Sequence, residues 1–179
     1  SANANQSFGS LHRVWQAAFR DADIAKRRPG TALILGYGAG SAAHILRKEM
    51  RLGTSILGVD HDTTMLQLAQ EHFPIGRLDG IELVHAEAFA FVAGCSTSFD
   101  LVVVDLFHDL DFVEGLEEPE LLGQIRRLVS PGGLFLVNTV VHDRGSALRS
   151  ARLGAELRHV FTEVKEHHYD VSNRVYIAL

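Results

Sequence analysis

The apolar positions of this chain fall into short, continuous runs separated by longer stretches in which they recur every three or four residues. The runs are residues 31–35 (TALIL), 55–59 (SILGV), 80–84 (GIELV), 99–104 (FDLVVV) and 134–138 (LFLVN). Runs apolar on both faces are what strands buried inside a parallel sheet require. Between them, Leu11, Val14, Trp15, Ala18 and Phe19 share one face of an opening helix over 8–28. Residues 41–52 read as a second helix, and Met65, Leu68, Ala69 and His72 mark the face of a third. A short helix over 88–92 follows, then an amphipathic one carried by Leu121, Leu122, Ile125, Leu128 and Val129. Ser130-Pro131-Gly132-Gly133 ends that helix, because proline lacks the amide it needs and glycine tolerates positive φ. Residues 146–157 are helical again. Alternating strands and helices predict an α/β domain, a mostly parallel sheet with helices on both faces.

The end of the chain changes the pattern. Residues 161–167 and 174–179 read as two strands joined by a turn at 170–173. So short a connection cannot carry a parallel crossover. The expected sheet therefore has seven strands, with the last one antiparallel.

Residues 1–7 (SANANQS) are small and polar and read as a flexible N-terminus. The rest, 8–179, is expected to be one domain, an opening helix over 8–28 and a core over 31–179. An exposed opening helix or closing strand is where two copies would pair as a homodimer. With 46% hydrophobic and 22% charged residues, the composition is that of a globular protein with a full core. A net charge of −5 argues against general affinity for nucleic acid. No apolar run approaches the length of a membrane span, and no signal peptide opens the chain. Cys95 is the only cysteine, so no internal disulfide forms, and no Cys/His spacing predicts a metal site. A reducing cytoplasmic location is the expectation.

The candidate chemistry sits where strands end. Gly36-Tyr37-Gly38-Ala39-Gly40 follows the first strand and opens a helix, so glycines allow a sharp turn and the helix start offers free N–H groups to a ligand. The spacing is G-x-G-x-G, and Ser41 stands where the dinucleotide fingerprint needs glycine, which opposes a nicotinamide oxidoreductase. Asp60 ends the second strand about twenty residues later, where an acid can accept hydrogen bonds from ribose hydroxyls. His61 follows it, and Asp62 with Thr63 and Thr64 reads as a helix N-cap. Glu87 and Ala88 follow the third strand. Glu87 can reach an adenine amino group or stabilise the first turn of its own helix. Asp105 ends the fourth strand, in the crevice expected to take a ligand. Trp15 reads as core or as a lid from the opening helix. His142, Asp143 and Arg144 face substrate or form a polar loop. Phe107 and Phe112 flank the acidic loop as a candidate apolar wall. His167 and His168 point to opposite faces of a strand, against joint metal binding.

Taken in order, LILGYGAG, ILGVDHD, VHAEAFAFV, FDLVVVDLFHD and LVSPGGLFLVN resemble the spermidine synthase-like branch of the class I S-adenosylmethionine-dependent methyltransferase superfamily, over residues 31–138. The resemblance implies the Rossmann-like class I methyltransferase fold and an S-adenosylmethionine cofactor. By it, Gly36, Gly38 and Gly40, with Tyr37 among them, would line the methionine part. Asp60 and His61 would lie at the ribose and Glu87 and Ala88 at the adenine. Asp105 stands where aminopropyltransferases keep an acid that handles the attacking amine. Asp105 and His108 are the candidate bases, and Asp109 joins Asp105 and Asp111 as a cation-binding candidate.

The departures matter as much. True synthases resemble G-G-G-D-G at the turn, and Ala39 stands in place of the acid. Their D-S-x-D-P motif is here Asp105-Leu106-Phe107-His108-Asp109. They also carry a β-rich domain ahead of the core, where this chain shows one helix. The expected activity is methyl transfer to a small-molecule substrate. The alternatives are aminopropyl transfer from decarboxylated S-adenosylmethionine to a polyamine, and a non-catalytic module that binds an adenosyl ligand.

Overall fold

The computed structural model describes residues 9–72, 80–108 and 111–179. Helix α1 (Ser10–Asp21) buries Val14, Trp15, Ala18 and Phe19, the face read from the sequence. It does not run on to 28. Asp23 takes a left-handed φ of 55°, which stops the helix, and a separate turn, α2 (Ile24–Arg27), follows.

Strands β1 (Thr31–Leu35), β2 (Ser55–Asp60), β3 (Ile81–His85) and β4 (Phe99–Val104) pair in parallel. The short pair β5 (Phe107–His108) and β6 (Asp111–Phe112) forms a separate antiparallel hairpin. Then come β7 (Val129–Val140), β8 (Val164–Tyr169) and β9 (Asn173–Ala178). The main sheet has the order β3-β2-β1-β4-β7-β9-β8, and β9 runs antiparallel to both its neighbours. The expected seven strands and antiparallel last strand are therefore present. β7 starts earlier than the apolar run, because residues 130–133 remain in the sheet through an irregularity opposite Phe99 and Leu101. A side chain at Gly133 would meet the carbonyls of Ser130, Asp100 and Phe99, so glycine lets this stretch lie against β4. β8 opens at Val164 rather than 161, since Phe161 closes the preceding helix and stacks on Phe135.

Between strands lie α3 (Ser41–His44), α4 (Thr63–His72), α5 (Ala88–Gly94), α6 (Pro119–Arg127) and α7 (Arg144–Val160). α3 passes into a π turn, Ile45–Glu49, where an unbroken helix was expected. Glu49 at its end accepts from His12 and Gln16 of α1. Asp143 caps α7 through a reciprocal bond with Ser146, so the polar-loop reading of 142–144 describes this residue.

Alternating strand residues build two cores. Ile34, Leu101 and Leu136 pack under α1 and α3. Leu33, Leu35 and Phe135 pack under α5, α6 and α7. The loops at the carboxyl ends of β1, β2, β4 and β7 are thereby held at one rim of the sheet.

Candidate functional site

In this strand order the chain turns one way from β1 and the other way from β4, which opens a crevice at the carboxyl edge between them. A cleft of about 580 Å³ occupies that crevice, a size that suits a small organic ligand. It is lined by the glycine turn after β1, by Asp60, His61 and Asp62 after β2, by Asp105 to Phe107 after β4, and by Asn138 and Val140 of β7. Ser10, Leu11 and Trp15 close it from α1.

Gly36 has φ 79°, and a Cβ there would collide with the Asp105 carbonyl, so only glycine lets β1 and β4 end this close together. The amides of Gly36 and Tyr37 both donate to the Val59 carbonyl, at 2.9 and 3.1 Å, tying the turn to β2. Asp60 completes the tie. Its Oδ2 accepts from the Gly38 amide at 2.7 Å and its Oδ1 from the Asp62 amide at 2.9 Å. The glycine turn and the strand-end acid therefore form one unit facing the cleft, and each carboxylate oxygen has a further lone pair for a ligand donor. Asp62 is the N-cap read from the sequence, accepting from the Thr64 and Met65 amides. His61 lines the cleft with its ring exposed, 3.7 Å from Asp60.

Several expected contacts lie elsewhere. Tyr37 borders the cleft, but its ring is buried against Gly58 and Gly40, where burial pushes its phenol well above the ordinary range. Gly40 sits behind that ring and is not among the lining residues. Glu87 caps α5, accepting from Phe89 and Ala90 amides at 3.1 and 2.8 Å, and Ala88 is buried in the core below. Neither is among the described residues that line the cleft; Glu87 fills the helix-stabilising role, and each of its carboxylate oxygens, with one amide donor, keeps a further lone pair as those of Asp60 do. Met65 and Leu68 supply apolar wall instead. Phe107 lines the cleft, whereas Phe112 is in the core beneath the Arg149 guanidinium, 4.2 Å from the ring centroid. His108 pairs with Asp111 through the backbone of the hairpin, and Asp109 lies outside the described residues. Asp111 is exposed, 3.8 Å from His142, and away from the cleft lining.

Asp105 is the acid that the fold does place inside. Its Oδ2 accepts from the Trp15 indole N–H at 2.9 Å and its Oδ1 from the Asn138 amide nitrogen at 3.2 Å. Burial pushes its carboxyl up to about 6, against the pull of those two donors, which favour the charged form. Sequence reasoning missed Asn138 and Asn173. The available signal was a polar residue bordering an apolar run, Asn138 closing 134–138 and Asn173 standing just ahead of 175–178. Both line the cleft, and their carboxamide oxygens are the two buried side-chain polar atoms without a partner among the described residues. Among the described lining residues are three aspartates and one histidine, with no lysine or arginine. No helix among the described residues is long and apolar enough to cross a membrane.

Residues 32–133 match a family described as a methyltransferase domain. A polyamine aminopropyltransferase of Thermoplasma volcanium is 29% identical over 79% of this chain and 52% of its own length. An eEF1A lysine and N-terminal methyltransferase homolog of Drosophila pseudoobscura is 27% identical over 82% of this chain and 23% of its own. The chain thus spans about half, or less, of these relatives. In structure, human methyltransferase-like protein 13 in complex with SAH superposes with a TM-score of 0.76 at 21% identity, covering 94% of this chain and 81% of that one.

Proposed function

Because the chain belongs to the methyltransferase domain family, we propose that it binds S-adenosylmethionine in this cleft and transfers the methyl group to a small-molecule nucleophile. The observation that carries the reading is the joining of the Gly38 amide to the Asp60 carboxylate at the wall of the cleft that Asp105 also lines. The turn at Gly36 and Gly38 would receive the methionine part, Asp60 the ribose hydroxyls, and Met65 and Leu68 the flat apolar face of the base. When bound, the cofactor supplies an electrophilic methyl carbon on a sulfonium. The protein's own contribution is orientation and proton handling. Asp105, with one donor on each oxygen and a carboxyl poised near neutral pH, accepts the proton of an attacking N–H or O–H.

The experiment is a thermal-shift series with S-adenosylmethionine, S-adenosylhomocysteine, the decarboxylated cofactor, methylthioadenosine and NAD. Stabilisation by the first two and none by NAD is expected. No response to any adenosyl sulfonium or thioether would end this reading.

A second reading is favoured by the charge of the lining. With three aspartates and no lysine or arginine among the described lining residues, a carboxylate-free, more cationic cofactor and a polyamine are complementary to it. Aminopropyl transfer is then the activity. Stronger stabilisation by the decarboxylated cofactor, with spermidine formed from putrescine, would select it. Stabilisation without turnover of any acceptor would select the non-catalytic module.

A further inference from the structure

We propose that Trp15 is a positioning residue for Asp105, so that seating of the opening helix on the cleft completes the proton-accepting site. The inference rests on the reading of Asp105 as the proton acceptor.

The geometry is specific. Trp15 is 1% exposed, and its ring is fixed in the core beside Phe19. Its indole nitrogen reaches ninety positions along the chain to Asp105 Oδ2 at 2.9 Å. α1 itself is fastened on either side of this contact. Glu49 accepts from His12 and Gln16, both at 2.7 Å, and Asp21 accepts from the Tyr169 hydroxyl at 2.6 Å. A packed indole on a helix so held cannot swing away alone, so the carboxylate is aimed by the seat of α1. Both donors to Asp105, Trp15 and Asn138, lie outside residues 32–133. The segment matched to the family carries the acid, and the flanking elements decide how it is held.

The chemistry follows from the donor type. An indole N–H donates and cannot accept, so it stabilises the carboxylate over the acid. One donor on each oxygen leaves further lone pairs to take a proton from a nucleophile. Among the described residues, the other titratable groups lining the cleft are Asp60, His61, Asp62 and Tyr37. His12 of α1, His44 of α3 and Glu49 of the π turn contact one another. None of these is hydrogen-bonded to Asp105, whose carboxylate partners are Trp15 and Asn138.

The protein contains a single tryptophan, so its indole N–H gives one unambiguous nitrogen–proton correlation. On titration of the uniformly nitrogen-labelled chain, that signal is expected to move with a midpoint near 6. The movement should vanish in Asp105→Asn and persist in His12→Gln. A signal that stays still between pH 5 and 8, or titrates equally in Asp105→Asn, would overturn the proposal. Trp15→Phe keeps a ring in the core and removes the donor. Carbon-labelled aspartate should then show the Asp105 midpoint rising by about one unit, the usual scale for losing a hydrogen bond to a charged group. An unchanged midpoint in folded Trp15→Phe would also overturn it. If that variant fails to fold, the Asp105→Asn comparison still decides. The titrations need no cofactor, so a chain that ignores S-adenosylhomocysteine would defeat the functional reading while leaving this contact to its own result.

Discussion

The Gly38 amide and the Asp60 carboxylate meet at 2.7 Å, 22 positions apart in sequence, and this bond locks the turn after β1 to the end of β2. A glycine turn alone is a tight connection, and a strand-end aspartate alone is a surface acid. Joined, they make one wall of a cleft, and the expected consequences can be measured.

Replacing Asp60 with Asn keeps the size and one acceptor oxygen but removes the charge. Hydrogen bonds to charged groups contribute about 1.5–3 kcal/mol each, so affinity for S-adenosylhomocysteine should fall at least about tenfold. Isothermal titration calorimetry checks this. An unchanged dissociation constant would remove Asp60 from the ligand site.

Gly36→Ala places a methyl group against the Asp105 carbonyl at a φ of 79°. Left-handed backbone and overpacking each cost roughly 1–3 kcal/mol, so a loss of roughly 2–6 kcal/mol is expected. Chemical denaturation measures it. Gly94→Ala, where a Cβ meets nothing within 4 Å, is the control and should shift stability little.

Asp105 also sets a pH dependence of stability. Its folded-state pKa is raised, by burial, from 3.8 to about 6. The protonated acid is therefore favoured by folding. The stability it contributes is full below about pH 4 and is lost as pH rises through 6. Wild type should lose stability relative to Asp105→Asn across that window, by about 3 kcal/mol, with no further change above pH 7. Melting curves of both proteins from pH 4 to 8 test the sign. A difference that is flat in pH would show that the carboxyl is solvated.

Arg149 fastens the loop that leads from β4 to α6. Its guanidinium lies 3.2 and 3.4 Å from the two Glu117 oxygens and donates to the Phe112 and Val113 carbonyls. Glu117 is buried, so Arg149→Met leaves its charge without a partner and should cost about 3 kcal/mol. Adding Glu117→Gln should recover a good part of that loss, because the stranded charge is gone. Double-mutant denaturation curves would show no such recovery if the pair were merely a surface contact.

Much of the site was open to a reading of the chain because its parts are local. The turn 36–40 and the acids at 60 and 105 each stand at the end of an apolar run, and strand ends are where an α/β sheet gathers its ligand groups. Glu87 shows the limit. A carboxylate at a helix start has the same sequence signature whether it meets a ligand, caps the helix or does both, and the sequence does not show that this one holds the amides of Phe89 and Ala90. Tyr37 shows another. An aromatic residue in a glycine turn can face the ligand or fold inward, and the bare surface of Gly58 on the neighbouring strand lets the ring fold inward.

The order of apolar runs and turn residues by itself determined the seven-stranded sheet, its antiparallel ending and the rim that carries the site, because strand burial and connection length depend on neighbours in sequence. Only the tertiary structure decided which groups meet Asp105. Trp15 and Asn138 come to it from opposite sides in the chain, at separations of 90 and 33 residues. No local pattern encodes such a contact. It exists because packing α1 and β7 against one sheet brings two donors to a single buried carboxylate.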